Sequence, residues 1–137
     1  MVNFRDNIAF MIAKAHQHAQ GVLKAQLKAF GLTPVQCLVL ESLWDEEGLS
    51  VGEVGRRLTL DTATLAGVLD RMVNAGWVLR EVDPADARVA RIYLSEKAKA
   101  ITADLAGTIE HTNNELLNSF SLEEKLLFKR FLRDYLT

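Results

Sequence analysis

Every basic residue between positions 49 and 94 of this chain is an arginine, whereas all seven lysines lie outside that stretch. The guanidinium of arginine is planar and donates hydrogen bonds in a fixed fork that matches phosphate oxygens and the edges of nucleic-acid bases. The stretch therefore has the residue type that recognition of a phosphorylated or nucleic-acid partner requires. Its arginines are Arg56, Arg57, Arg71, Arg80, Arg88 and Arg91.

Six acidic residues in the same stretch balance these arginines. The whole chain of 137 residues has a formal net charge of -2, and its pI is near 5.9. These values argue against a generally basic nucleic-acid coat protein, so any affinity for DNA must depend on where the charges are placed. The acids of the stretch are Glu53, Asp61, Asp70, Glu81, Asp83 and Asp86.

The elements that must position the arginines are delimited by helix-capping sequences. Residues 33–36, 50–53 and 121–124 each place a hydroxyl at a predicted N-cap and Gln or Glu three residues later, which is the capping-box pattern. Glycines at Gly31, Gly48 and Gly76 supply helix ends. The sequence predicts helices over 3–30, 34–46, 51–58, 62–75, 96–118 and 122–136, and strands over 77–82 and 89–94.

This order predicts a mainly α protein with a small two-stranded β-wing. Residues 33–95 form a winged helix-turn-helix lobe, a fold that reads DNA, and residues 96–118 form a long connecting helix. Residues 1–32 and 119–137 carry wide apolar stripes, which suggest pairing of helices between subunits. The alternative is that each terminal helix packs only on its own domain.

The helix over 62–75 is the predicted recognition helix. Its apolar positions recur at helical spacing and pack inward, which leaves Thr62, Thr64 and Arg71 on the opposite face. The first turn of a recognition helix meets base edges in the major groove, so these three are candidate DNA contacts, as is Ser50 ahead of the preceding helix. The alternative for both threonines is a helix-capping role beside Asp61.

The predicted hairpin carries the second set of candidates. Residues 83–86, with the sequence Asp-Pro-Ala-Asp, are typical of a turn, and Asp83 and Asp86 are the candidate wing-turn residues. Arg88 then lies near the hairpin tip, where a narrow minor groove attracts arginine, and Arg91 follows on the second strand. The alternative for Arg88 is a surface ion pair with one of the two aspartates.

Other classes of protein find little support. The single cysteine excludes an intrachain disulfide framework and suggests a reducing cytoplasm. The N-terminal segment lacks an uninterrupted apolar core and no 18 apolar residues run together, so we expect neither export nor a membrane span. Neither a phosphate-binding glycine loop nor a nucleophile or metal motif is present, so we expect no enzyme activity, cofactor or metal site.

Three segments together resemble the MarR family of bacterial transcription regulators. They are LTPVQCLVLESLW, LSVGEVGRRLTLDTATLAGVLDRMVNAGWV and DPADARVARIYLSEKA, which look like the second helix, the helix-turn-helix and the wing of that family. The resemblance implies a homodimer built from the terminal helices, with its two winged lobes on a palindromic operator. It also implies that a small molecule or an oxidant binds between the dimer region and the lobes and weakens DNA binding.

The chain departs from the family pattern at three positions. Ala66 and Gly67 stand in the middle of the recognition helix, where a polar or basic residue is usual, and Ala87 stands where a second wing arginine is common. Fewer direct contacts are therefore available, and we expect sequence discrimination to depend strongly on DNA shape and on the wing.

The family's effector pocket lies among the first, second and fifth helices. The candidate pocket residues of this chain are His16, His18, Cys37, Glu41 and Trp44. Cys37 has no cationic neighbour in sequence and has Glu41 one turn away, which raises a thiol pKa, so we expect a buried, inert thiol.

The sequence thus predicts a sequence-specific DNA-binding regulator that acts as a repressor and is released by a small aromatic or other metabolite. Two alternatives remain open: a winged-helix adaptor that binds proteins, and a regulator that senses oxidants through Cys37. The adaptor has no need of arginine at the wing, so Arg88 is the residue that discriminates it from a DNA reader.

Overall fold

The computed structural model describes residues 1–137 and separates them into two compact units. One unit holds residues 1–26 and 107–137, and the other holds residues 27–106. The predicted DNA-reading lobe over 33–95 falls wholly within the second unit. In chain order the elements are α1 (Ile8–Leu27), α2 (Pro34–Asp45), β1 (Leu49–Ser50), α3 (Val51–Leu58), α4 (Thr62–Asn74), β2 (Val78–Val82), β3 (Ala90–Leu94), α5 (Glu96–Leu116) and α6 (Leu122–Leu136).

The three predicted capping boxes are confirmed at the starts of α2, α3 and α6. In each, the hydroxyl of Thr33, Ser50 or Ser121 accepts a hydrogen bond from the backbone three residues later. The side chain at that later position accepts one from the cap in return. These boxes satisfy backbone amides that a helix start leaves unpaired, which is why the predicted starts hold to the residue.

The prediction of one helix over 3–30 is wrong at both ends. A 3-10 turn covers Phe4–Asp6, and α1 begins only after Asn7, whose side-chain oxygen accepts from the amide of Phe10 at 3.2 Å. A second 3-10 turn, Lys28–Phe30, ends at Gly31, which has a φ of 71°. Asparagine favours a helix cap over a helix interior because its amide competes for backbone groups, so Asn7 marks the true start.

The turn between α3 and α4 is held close against α3. The amide of Leu60 donates to the carbonyl of Gly55 at 2.9 Å. A methyl group on Gly55 would lie 3.0 Å from the carbonyl oxygen of Leu60, so a side chain there would push the turn away. Thr59 within the turn has a φ of 54°, a left-handed conformation that is uncommon for threonine.

The predicted hairpin is confirmed, and a third strand that the sequence did not predict extends it. The antiparallel order is β1-β3-β2, with Leu49 opposite Ile92 and Val78 opposite Leu94. Strand β1 is only two residues long and leads directly into α3, so no alternating pattern could reveal it. The chain turns into β1 at Gly48, which has a φ of 76° and whose amide donates to the carbonyl of Ile92.

The second unit contains the apolar core. Side chains from α2, α3, α4 and the sheet are almost fully buried, and α4 contributes Leu65, Val68, Leu69 and Met72. Burial of side chains this large supplies most of the free energy that orders the unit. Its largest fully buried members are Leu27, Val39, Leu40, Leu43, Val54, Leu65, Leu69, Met72, Val78, Ile92 and Leu105.

The first unit differs because its apolar side chains are largely exposed. Helix α6 has no buried residue, and its Leu126, Phe131 and Leu136 are 61%, 56% and 79% exposed. Near the N-terminus, Phe4 and Ile8 are 62% and 61% exposed. Despite this apolar character, none of the helices combines the length and hydropathy needed to cross a bilayer.

Candidate nucleic-acid interface

Helix α4 exposes the residues that the sequence proposes for contact. Thr62, Thr64 and Arg71 are exposed, while Leu65, Val68 and Leu69 between them are buried. Asp61 caps the helix, and its carboxylate accepts from both the backbone amide and the hydroxyl of Thr64, each at 2.8 Å. These hydrogen bonds, that of the Thr64 amide above all, lower the pKa of Asp61.

Asp61 is therefore the cap itself, and the hydroxyl of Thr64 supports it by donating to its carboxylate. Its single proton is donated to Asp61, so toward a partner this hydroxyl can only accept a hydrogen bond. An acceptor suits the amino group of a base and does not suit a phosphate oxygen. Thr62 is one position inside the cap and borders an open groove.

That groove lies beside the start of α4 and contains a residue that the sequence reasoning missed. Its volume is about 600 Å³. Arg56 on α3 borders it, is exposed and makes no ion pair, whereas the adjacent Arg57 pairs with Glu46. The sequence alone could not separate two consecutive arginines, because which one finds a carboxylate depends on the angle at which α2 and α3 pack. The groove is lined by Gly52, Gly55, Arg56, Thr59, Leu60, Asp61 and Thr62.

Gly67 in the middle of α4 lies beside the side chain of the arginine one turn later. The nearest atom to a methyl group placed on Gly67 would be Nη1 of Arg71, at 3.9 Å. The Arg71 side chain thus lies back along the helix toward its N-terminus. This is an ordinary van der Waals separation, so an alanine here would touch the Arg71 side chain without displacing it.

The wing turn is built from two overlapping aspartate turns. The amide of Asp86 donates to the carbonyl of Asp83 at 3.2 Å, and the amide of Val89 donates to the carbonyl of Asp86 at 3.0 Å. The carboxylate of Asp83 also accepts from the amide of Ala85 at 2.7 Å. The predicted turn residues therefore have a direct structural role in shaping the hairpin tip.

Arg88 is at that tip, and its side chain is 90% exposed. Its Nε and Nη2 donate to the two carboxylate oxygens of Asp86 at 3.1 and 3.2 Å, and these bonds lower the pKa of Asp86. Asp86 is thus the ion-pair partner that the sequence left undecided between two aspartates. Because a guanidinium has five N–H donors, three remain for another acceptor.

The other hairpin arginines are bound within the lobe. Arg80 pairs with Asp70 of α4 at 2.9 Å. Arg91 donates to Asp83 at 2.7 Å and to the carbonyl of Gly48 at 2.8 Å. Arg80 and Arg91 are therefore held against the lobe, whereas Arg88 is ion-paired and still faces solvent.

Ser50 has a structural contact of its own. Its hydroxyl accepts from the amide of Glu53 at 3.2 Å in the α3 capping box, and the residue is opposite Arg91 in the sheet. A hydroxyl used in this way can still donate its proton outward.

The candidate effector residues are divided between the two units. His18 borders an open groove of about 480 Å³ on the first unit, together with Gln17, Gln26 and Glu115. His16 is exposed and outside that groove, whereas Cys37, Glu41 and Trp44 belong to the second unit. His18 is thus the candidate that lines this groove, and the assignment of the five residues to an effector pocket stays a prediction.

Cys37 is buried, as the sequence predicts. Its side chain is 1% exposed, and its Sγ donates to Oε1 of Glu41 at 3.5 Å. Burial, with a smaller contribution from the nearby carboxylate, raises the pKa of Cys37 to about 12. A thiol with this pKa is protonated at neutral pH and is a poor nucleophile.

Comparison with known proteins assigns a family to this geometry. The model of the MarR family matches residues 32–90, which contain the helix-turn-helix and most of the wing. The regulator MgrA of Staphylococcus aureus is 31% identical over 105 residues, which are 76% of this chain and 71% of MgrA. The chain belongs to the MarR family.

A second relative shares more identity over a shorter region. The regulator TtmR of Methylorubrum extorquens is 43% identical over 88 residues, which are 64% of this chain and 45% of TtmR. The match thus spans less than half of that relative.

Solved structures show that the fold extends over nearly the whole chain. A probable transcriptional regulator from Pseudomonas aeruginosa has a TM-score of 0.92 at 26% identity and covers 97% of this chain and 99% of its own. A mutant MarR from E. coli complexed with operator DNA has a TM-score of 0.90 at 24% identity, over 98% and 97% of the two chains. The winged-helix fold of this MarR-family regulator is thereby confirmed.

Proposed function

We propose that this MarR-family protein is a homodimeric repressor that binds a palindromic operator in the cytoplasm and is released from it by a small-molecule effector. The observation that carries the proposal is Arg88, which is 90% exposed at the wing tip and oriented by Asp86. An exposed arginine held in one orientation loses little side-chain entropy when it binds a phosphate or a base edge. A winged-helix adaptor would gain nothing from this arrangement.

The proposed contacts of one lobe combine the wing with α4. Arg88 enters the minor groove, and Arg71 and Thr62 meet the major-groove side from the exposed face of α4. Thr64 is proposed as an acceptor for a base amino group, since its proton is committed to Asp61. Arg56, at the groove beside the α4 start, is added as a phosphate contact because it makes no ion pair.

Dimerisation through the terminal helices is supported by their exposed apolar side chains. Helix α6 and the N-terminal segment expose phenylalanine and leucine side chains that a soluble monomer seldom leaves uncovered together. In a homodimer the same surfaces cover each other about a two-fold axis, and the two lobes then match the symmetry of a palindrome.

Two observations support the proposed release by an effector: the ligand regulation of a structural neighbour, and a groove on the first unit of this chain. The structure of BpsR from Bordetella bronchiseptica, whose TM-score is 0.92 at 21% identity, concerns regulation of its DNA binding by 6-hydroxynicotinic acid. In this chain His18, Gln17 and Gln26 border a groove with hydrogen-bonding groups on its wall. A small aromatic carboxylate is the ligand class that we propose.

The DNA-binding proposal is tested by titrating the protein into a labelled duplex taken from the region upstream of its own coding sequence. A duplex of the same base composition in scrambled order serves as the matched control. We expect the upstream duplex to bind at least about 10³-fold more tightly, with half-sites about 10 base pairs apart. Equal affinities for the two duplexes would favour the protein-binding adaptor.

Assembly, repression and release each have a separate measurement. Sedimentation should show a dimer at micromolar concentration, and transcription from the bound promoter should fall when the protein is added. Binding of an aromatic carboxylate should raise the melting temperature of wild-type protein and leave that of His18→Ala unchanged. A stable monomer, a rise in transcription or an equal shift in both proteins would contradict the respective part.

The oxidant-sensing alternative has less support, because Cys37 is buried and its pKa is raised to about 12. Family membership also favours regulation over enzyme activity, since the matched relatives are transcriptional regulators.

A further inference from the structure

One arginine of the hairpin, Arg91, contacts three separate parts of the lobe. Its Nε donates to Oδ2 of Asp83 at 2.7 Å, and its Nη1 donates to the carbonyl of Gly48 at 2.8 Å. The same Nη1 is 3.9 Å from Oε2 of Glu53. The Arg91 side chain is 36% exposed and that of Asp83 only 12%, so the pair is shielded from solvent far more than Arg88 is.

Each partner of Arg91 fixes a different backbone segment. The other carboxylate oxygen of Asp83 accepts from the amide of Ala85 and so shapes the wing turn. Gly48 donates its amide to Ile92 and starts the short strand ahead of α3. Glu53 accepts from the amide of Ser50 in the α3 capping box.

The pKa shifts of Asp83 and Arg91 agree with these contacts. The amide of Ala85 and, after it, the guanidinium of Arg91 lower the pKa of Asp83, while Asp83 raises the pKa of Arg91. Charge-assisted hydrogen bonds of this length are stronger than neutral ones and are directional, so they hold the two side chains in one arrangement.

We propose that Arg91 is a positioning residue that fixes the wing turn against the start of α3, and that it contributes to DNA binding through the placement of Arg88 without contacting the phosphates itself. The inference rests on the proposed DNA-binding function. It replaces the sequence-based expectation that Arg91 is a direct contact, because its side chain is only 36% exposed, against 90% for Arg88, and its Nε and Nη1 already bind Asp83 and Gly48.

The proposal and simple electrostatics predict opposite changes in DNA affinity for one variant, Asp83→Asn. Asp83→Asn removes one negative charge from a surface that faces DNA, and charge alone would then strengthen binding. The amide oxygen of asparagine can still accept from Ala85, but its NH₂ group cannot accept from Arg91. If Arg91 acts through Asp83, the neutral variant binds DNA more weakly.

The experiment compares operator affinity for wild type, Asp83→Asn, Arg91→Lys, Arg88→Ala and the double variant Asp83→Asn/Arg88→Ala. The matched control is Glu81→Gln, because Glu81 is opposite Arg91 in the sheet and makes no ion pair. We expect Asp83→Asn to lose about tenfold in affinity, the order of one charge-assisted hydrogen bond. Glu81→Gln should bind as well as wild type or better.

Two further comparisons separate positioning from direct contact. In the Arg88→Ala background, Asp83→Asn should have almost no additional effect, because the residue that it positions is gone. Arg91→Lys keeps the charge but cannot donate in two fixed directions, so it should lose affinity as Asp83→Asn does. Full affinity in Arg91→Lys, or additive losses in the double variant, would overturn the proposal.

Hydrogen exchange in the absence of DNA makes the result independent of the proposed function. The amides of Asp86 and Val89 should exchange faster in Asp83→Asn than in wild type and Glu81→Gln. If wild type binds no specific duplex but these amides still lose protection, the proposed function fails and the positioning contact stands. Unchanged protection in Asp83→Asn overturns the contact itself.

Discussion

Replacing Arg88 with alanine should change how steeply DNA binding depends on salt. Each phosphate neutralised on duplex DNA adds about 0.9 to the magnitude of the slope of log K against log salt. A dimer has two wing tips, each with one exposed Arg88, so Arg88→Ala should reduce the slope magnitude by about 1.8. If Arg56, Arg71 and Arg88 each neutralise one phosphate per protomer, these arginines together contribute about 5.4 to the magnitude of the wild-type slope.

This change has a measurable consequence over an accessible salt range. Between 50 and 200 mM salt, a difference of about 1.8 in slope changes the ratio of wild-type to variant affinity by about tenfold. The defect of Arg88→Ala should therefore be largest at low salt and shrink as salt is added. The fold should be unaffected, because an exposed ion pair such as Arg88–Asp86 contributes little to stability.

The assay is a set of fluorescence-anisotropy titrations with the operator duplex at four or more salt concentrations. Arg88→Lys is the first control and should keep most of the slope because it keeps the charge. Arg80→Ala is the second, since Arg80 is in the same hairpin but pairs with Asp70 on α4, and it should leave the slope unchanged. A folded, dimeric Arg88→Ala protein with the wild-type affinity and slope would refute the assignment of the wing tip to DNA.

Three further predictions concern α4, the helix-turn-helix turn and the cysteine. Gly67→Ala should stabilise the protein by about 1 kcal/mol, which a denaturation curve measures. It should also weaken operator binding in an anisotropy titration, because the methyl group projects on the face of α4 that carries Arg71. Gly55→Ala should lower the free energy of unfolding in urea by about 1–3 kcal/mol, because its methyl group would lie 3.0 Å from the Leu60 carbonyl oxygen. Gly107→Ala is the control and should stabilise the protein, because Gly107 has open space around it. Cys37 should be alkylated at pH 8 about 10³-fold more slowly in native than in unfolded protein, because its pKa rises from 9.0 to about 12. Since the folded state binds this proton more tightly, its contribution to stability is complete below pH 9 and is lost as the pH rises toward 12; equal alkylation rates in the two states would contradict the burial.

Much of the fold could be predicted because its boundaries are set by local chemistry. The hydroxyls of Thr33, Ser50 and Ser121 begin helices at the predicted residues because each satisfies amides within its own turn. Strand β1 could not be predicted in the same way. It is two residues long and exists only because β3, over 40 residues away in sequence, presents an unpaired edge to it.

The candidate site could be predicted by residue type but not by partner. Sequence spacing places Arg88 near Asp86, and that pair forms as one of the two alternatives considered. The same spacing does not indicate that Asp83 binds Arg91. Nor does it indicate that Arg57 binds Glu46 while Arg56 stays exposed. These choices depend on how helices and strands pack, which fixes distances that the order of residues does not.

Two arginines of one hairpin show why this matters for a locally neutral DNA-binding lobe. Arg88 and Arg91 are three residues apart and each pairs with one wing aspartate. The partner of Arg88 is two residues away at the tip, so their ion pair leaves 90% of the arginine side chain exposed. The partner of Arg91 is across the base of the turn, and the carbonyl of Gly48 binds the rest of its guanidinium. The same kind of ion pair thus orients Arg88 toward solvent and, at Arg91, holds the turn that presents Arg88. For this reason the acids of the wing are expected to promote DNA binding despite their charge.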